Sequence, residues 1–76
     1  MFHPKSKSAK KQMEQLFGDI QINLENNYKD LAIGARKQAE KQLALFQEDG
    51  SLTEKDYRKL KQTLDDYTKR MEGYHH

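Results

Sequence analysis

The sequence lacks cysteine, tryptophan and valine, and it contains a single proline in 76 residues. The absence of cysteine excludes a disulfide framework, thiolate zinc ligands and thiol nucleophiles. The absence of valine, together with only three isoleucines and three threonines, argues against a β-rich fold, because β-branched residues favour strands. Long apolar runs are also missing: the longest has four residues, at positions 43–46, whereas a transmembrane helix needs about 20 and a signal-peptide core about 7–15. We therefore predict a cytoplasmic protein that does not enter a membrane.

Large apolar side chains are scarce as well. Leu, Ile, Val and Phe together account for 14 of the 76 residues, a share that approaches the composition of disordered proteins. Disorder also needs a large net charge, and here the net charge is only +2. Lys, Gln, Glu, Leu and Ala dominate instead, and all five favour helices. The sequence thus predicts an all-α domain whose small core supplies about 3–5 kcal/mol, so we expect association with another chain to add to its stability.

Apolar residues recur at intervals of three and four, which predicts three helices over about residues 8–25, 28–48 and 52–72. Asn26 and Asn27 separate the first two, since asparagine is favoured at left-handed helix ends and as an N-cap. Gly50 closes the second helix, and Ser51 with Glu54 fits a capping box that opens the third. These helices form one domain over residues 8–73, preceded by a flexible basic arm (1–7) and followed by a frayed tail (74–76).

The apolar seam is coiled-coil-like, because its strictest part alternates steps of three and four residues. It predicts a small three-helix bundle or helical hairpin with this core: Phe17, Ile20, Leu24, Leu31, Leu43, Phe46, Tyr57, Leu60, Leu64 and Tyr67. The alternative is that the chain does not break at residues 26–27. One helix would then run over residues 8–48, with a length of about 60 Å, beside a helix over residues 52–72. Its uncovered half would have to be buried against a second chain, giving a dimer.

The segment from Leu43 to Leu64 carries a Gly-x-aliphatic-Thr-x-x-acid-aromatic pattern with a downstream Lys and Leu. The matching residues are Gly50, Leu52, Thr53, Asp56, Tyr57, Lys61 and Leu64. In this stretch the chain resembles the short bacterial helical-hairpin module known as SHOCT. The resemblance covers less than a third of the chain and departs from the family at Ser51, where an aliphatic residue is usual. It implies an oligomerising or docking hairpin of a small bacterial or phage protein, with no catalytic residues to carry over.

Three apolar residues lie off the seam, at spacings of 11 and 12 residues: Ile22, Ile33 and Leu45. In a continuous helix a spacing of 11 is close to three turns, so these residues would share a second face. We expect a partner to cover that face, either another copy of the chain or a different protein. The principal functional prediction is a non-enzymatic interaction protein, such as an adaptor, co-chaperone or small inhibitor. It would act by self-association and by docking to a protein partner.

The alternative functional prediction concerns the basic start of the chain. The first twelve residues contain Lys5, Lys7, Lys10 and Lys11 and no acidic residue. Lysines of this kind contact phosphates and give salt-sensitive affinity, so the chain is alternatively an accessory nucleic-acid-binding protein. The sequence has no Gly-rich phosphate loop and no Ser–His or Cys–His pairing. We therefore predict no enzymatic activity, no cofactor and no metal site.

Overall fold

The computed structural model describes the backbone of residues 4–72 and the side chains of residues 7–72. Within that range the chain forms three helices: α1 (Pro4–Glu25), α2 (Lys29–Glu48) and α3 (Glu54–Glu72). Each helix packs against the other two, which confirms the predicted small all-α three-helix bundle. Residues 1–3 of the predicted arm and the predicted frayed tail, 74–76, lie outside the described residues.

The first helix begins at Pro4 and not at residue 8. Residues 4–7, which we expected in the arm, are therefore helical. Proline suits the first position of a helix, because the missing N–H would have no partner there and the ring presets a helical φ. The helix consequently carries Lys5 and Lys7 on its first two turns.

The turn between α1 and α2 depends on Asn27, which adopts a φ of 61°. The Tyr28 N–H donates to the Asn23 carbonyl at 2.8 Å, and the Asn27 N–H donates to the Leu24 carbonyl at 3.2 Å. This pair of hydrogen bonds is a Schellman motif, which satisfies the last carbonyls of a helix when the next residue is left-handed. The chain thus breaks where the two asparagines predicted, and the alternative of one helix over residues 8–48 is wrong.

A second Schellman motif, built on Gly50 with a φ of 78°, ends α2 as predicted. The Ser51 N–H donates to the Phe46 carbonyl at 3.0 Å. The predicted capping box of Ser51 and Glu54 is wrong, because α3 begins at Glu54 and its N-cap is Thr53. The Thr53 hydroxyl accepts a hydrogen bond from the Asp56 N–H at 3.1 Å. Ser51 is only 6% exposed and lies in the turn between the two helices.

The core runs along the bundle and contains most of the predicted seam. Its buried members are Ala9, Met13, Phe17, Ile20, Leu24, Ala32, Ala39, Leu43, Phe46, Leu52, Leu64 and Met71, with Tyr57, Leu60 and Tyr67 partly buried against them. Leu31 is a correction to the predicted seam, because it is 59% exposed while Ala32 is fully buried. Leu31 precedes Leu43 by twelve residues, and at about 100° per residue the two side chains point about 120° apart.

The helices alternate in direction, so that α3 runs parallel to α1 and contacts it at both ends. Near the start of both helices, Lys10 Nζ lies 3.2 Å from Asp56 Oδ2. Near the end of both, Arg70 Nη1 donates to Gln21 Oε1 at 3.3 Å. These contacts show which side of α1 faces α3, and therefore which side remains open.

Candidate protein-interaction surface

The three residues predicted to form a partner-binding face do not lie together. Ile22 is 57% exposed on α1, Leu45 is 46% exposed on α2, and Ile33 is half-buried on α2. The break at Asn27 separates Ile22 from the other two. On α2 the spacing of twelve residues turns Ile33 about 120° away from Leu45. The prediction of one shared face is wrong, because it required a continuous helix.

A different surface emerges from the residues that immediately precede buried ones. Stepping back one residue rotates about 100° around a helix, so these side chains form one flank beside the core. Because α1 and α2 are antiparallel and both right-handed, their two preceding flanks lie on the same side of the pair. We call this surface the α1–α2 face; its residues that precede buried ones are Gln12, Leu16, Asp19 and Asn23 of α1 and Leu31, Gln38, Gln42 and Leu45 of α2. It also includes Gly34 and Ala35, which lie within about 60° of Leu31 around α2.

The third helix does not cover the α1–α2 face. Besides the buried Phe17, which stacks on Tyr67, the polar α1 side chains that bond to α3 include Lys10 and Gln21, and each of these two follows a buried residue, Ala9 or Ile20. Residues that follow a buried position point about 200° away from residues that precede it, so α3 packs on the opposite flank of α1. The described part of the chain therefore leaves the α1–α2 face open to solvent or to another molecule.

Charge distinguishes the α1–α2 face from the flank where α1 meets α3. Among the ten residues of the α1–α2 face only Asp19 is charged. Between α1 and α3, the corresponding ten positions are those that follow buried residues of α1 and those that precede core residues of α3. Seven of these ten are charged: Lys10, Glu14, Glu25, Asp56, Lys59, Asp66 and Arg70. Depletion of charged residues is typical of the central part of a protein interface. This surface could not be read from the predicted seam, because that seam placed Leu31 in the core, whereas the structure buries Ala32 and turns Leu31 outward.

The α2 side of the α1–α2 face contains a glycine, Gly34, that the single chain does not require. A Cβ atom at Gly34 would meet nothing within 4 Å, and the residue lies in the interior of α2. Glycine at such a position costs roughly 0.5–1 kcal/mol relative to alanine. Its usual benefit is the close approach of another backbone, and no described part of this chain makes that approach.

The predicted nucleic-acid residues lie at one end of the bundle. Lys7 and Lys11 are exposed on α1, and Lys10 forms the ion pair with Asp56. The hydrogen bond from Lys10 holds the pKa of the Asp56 carboxyl below its usual value, and the positive charge of Lys59 acts in the same direction. The structure therefore brings lysines of α1 beside a lysine of α3. The side chain of Lys5 lies outside the described residues.

Within residues 7–72, no three histidine, cysteine or acidic side chains are grouped so that they could hold a metal ion. No helix in the described part of the chain is long and apolar enough to cross a membrane. Comparison of the chain with protein-family models, with curated proteins and with solved structures finds no match.

Proposed function

We propose that this chain is a non-enzymatic helical interaction protein that self-associates and docks to a protein partner, as an adaptor, co-chaperone or small inhibitor does. One observation carries the proposal. Although large apolar residues are scarce, four of them are about half exposed: Ile22 at 57%, Tyr28 at 56%, Leu31 at 59% and Leu45 at 46%. A single exposed aliphatic side chain is ordinary. Two of the four, Leu31 and Leu45, lie on the same α1–α2 face, so a molecule that covers this face buries both and adds stability at about 25 cal/mol per Å² of apolar surface.

The composition of the core supports the non-enzymatic part of the proposal. Among the described residues, Ser51 is the one polar residue in the buried set, and the others are apolar. General acid–base chemistry depends on titratable groups held in a dry pocket with shifted pKa values. Asp56, whose pKa is lowered by the hydrogen bond from Lys10, forms an ion pair at the surface of the bundle.

The α2–α3 hairpin supports the docking part of the proposal through its resemblance to the SHOCT module. The resemblance includes a glycine that ends the first helix and a threonine that begins the second. Gly50 and Thr53 occupy those two positions. Kinship with that bacterial module stays a prediction, and it would make the hairpin a docking element.

Self-association is tested by unfolding the protein in urea at about 5 and 500 μM, followed by circular dichroism. If the native state associates and the unfolded state does not, the higher concentration stabilises the fold by up to about 2.7 kcal/mol, which is the effect of a hundredfold excess over the dissociation constant. The midpoint should therefore rise with protein concentration. Superimposable curves at the two concentrations would contradict the self-association part of the proposal.

The second candidate function is the binding of a nucleic acid, and the exposure of Lys7 and Lys11 on α1 favours it. Lys59 of α3 lies near these lysines, with the Asp56 carboxylate between it and Lys10. Phosphate binding by such lysines releases counterions, so affinity falls steeply with salt.

This candidate is tested by fluorescence anisotropy with a random duplex between about 50 and 200 mM salt. Binding through Lys59 and the lysines of α1 predicts a steep salt dependence and weaker binding by Lys59→Gln. The matched control is Lys69→Gln, at the opposite end of α3, which should bind like the parent chain. An absence of binding at the lowest salt would eliminate the nucleic-acid function.

A further inference from the structure

We propose that the α1–α2 face is the surface through which two copies of this chain associate, related by a twofold axis. This inference rests on the self-association proposed above and adds to it the site and the identity of the occupant. Two properties of the face fit a second copy, namely its low charge and the glycine within it, and its size determines the strength of the dimer.

The charge of the face fits a second copy of the same chain. Across a twofold axis each surface meets itself, so a patch of one charge sign repels its own image. The α1–α2 face has Asp19 as its one charged residue among ten, and therefore avoids that repulsion. Its amides, such as Gln38 and Gln42, contain both a donor and an acceptor. Two identical amides can consequently hydrogen-bond to each other, which two carboxylates or two ammonium groups cannot do.

Gly34 gives the second, independent argument. The position lies between Leu31 and Gln38 on α2, where a Cβ atom would meet nothing within 4 Å. The isolated chain thus gains nothing there from glycine and loses helix propensity. A helix of a second copy packed over the face would approach the α2 backbone most closely at this point, because glycine has no side chain that would keep the two backbones apart.

The size of the face indicates a weak dimer. From Leu31 to Leu45 it extends about 21 Å along α2, and two helices whose axes lie 8–10 Å apart give it a width of about 20 Å. The projected footprint of about 400 Å² per copy, or about 800 Å² for the pair, lies below the roughly 1,200–2,000 Å² that stable specific interfaces bury. We therefore expect a reversible dimer that forms in the micromolar range and not an obligate one.

Sedimentation equilibrium of the full chain tests the proposal with two pairs of matched variants. Gln38→Lys places a charge on the face, whereas Gln62→Lys places the same charge on an exposed position of α3. Gly34→Leu adds bulk to the face, whereas Gly18→Leu adds the same bulk at a helical position off the face. Both glycines have open space around them. Circular dichroism of each variant verifies that the helices are retained.

The expected result is that Gln38→Lys and Gly34→Leu each weaken the dimer at least tenfold, because like charges and steric bulk then meet their own images. The two control variants should associate like the parent chain. If the parent chain dimerises and all four variants dimerise equally well, the α1–α2 face is not the interface, although self-association itself stands. If the parent chain is a monomer up to about 1 mM, both proposals fail, and the face is left for a protein of another kind.

Discussion

The left-handed conformation of Asn27 decides whether this chain is a three-helix bundle or one long helix with a short one. Its φ is 61°, a region that costs roughly 1–2 kcal/mol for most residues with a Cβ atom but less for asparagine, whose side chain bonds locally. Glycine adopts the same conformation without that penalty. We expect Asn27→Ala to lower the free energy of unfolding by about 1 kcal/mol, and Asn27→Gly to leave it unchanged or to raise it slightly.

A change of that size is large for this protein. A core of this kind supplies about 3–5 kcal/mol, so the alanine variant would lose between a fifth and a third of the total. For a domain of this length 1 kcal/mol corresponds to a shift of about 4–8 °C in Tm. In urea the midpoint should fall by about 0.5–1 M, given a slope near the lower end for small proteins. Thermal and urea unfolding followed by circular dichroism measure both, at one fixed protein concentration because association also stabilises the fold.

Two further variants control this experiment. Gly50→Ala likewise places alanine at a left-handed residue, here with a φ of 78°, and should lower the free energy of unfolding at least as much as Asn27→Ala does. Gly18→Ala lies inside α1 with open space around it and should stabilise the protein by about 0.5–1 kcal/mol. If Asn27→Gly is less stable than Asn27→Ala, the turn is not held by its left-handed backbone and the reasoning is refuted.

The remaining predictions concern the core, the second helix cap and acid stability. Ile20→Ala removes a fully buried side chain and should cost about 2–5 kcal/mol, a large part of the roughly 3–5 kcal/mol that such a core supplies, so its urea midpoint by circular dichroism should fall sharply. Ile22→Ala, on the exposed side of the same helix, should change stability by less than about 0.5 kcal/mol. Thr53→Ala should lower the free energy of unfolding in urea by about 1 kcal/mol, and Ser51→Ala should lower it less. A larger loss for Ser51→Ala than for Thr53→Ala would mean that Ser51 is the N-cap of α3. The pKa of Asp56 is lowered by its partner Lys10. The Asp56 carboxylate therefore stabilises the folded state above the unfolded-state pKa, and this stabilisation is lost as pH falls through the folded-state pKa. The Tm difference between the parent chain and Asp56→Asn should therefore shrink below about pH 4, and a constant difference down to pH 2 would contradict this.

Local chemistry in the sequence determined the number of helices and both turns. Asn27 and Gly50 are residues that tolerate a left-handed backbone, and each adopts it directly after the end of a helix. These features follow from the conformational energy of single residues and of neighbours three or four positions apart. For the same reason the apolar spacing placed Phe17, Ile20 and Leu64 correctly within the core.

Tertiary packing decided the rotation of α2 and the surface that remains open. Spacing alone was compatible with either Leu31 or its neighbour Ala32 facing inward, and the structure buries Ala32 and Ala39. Small side chains at a helix contact let the two axes approach closely, and that approach turns Leu31 outward onto the α1–α2 face. The Lys10–Asp56 contact, between residues 46 positions apart, likewise exists only because α3 returns parallel to α1. The sequence by itself therefore determined where the chain turns, and only the packing of the three helices determined which of its few large apolar residues are left for another molecule.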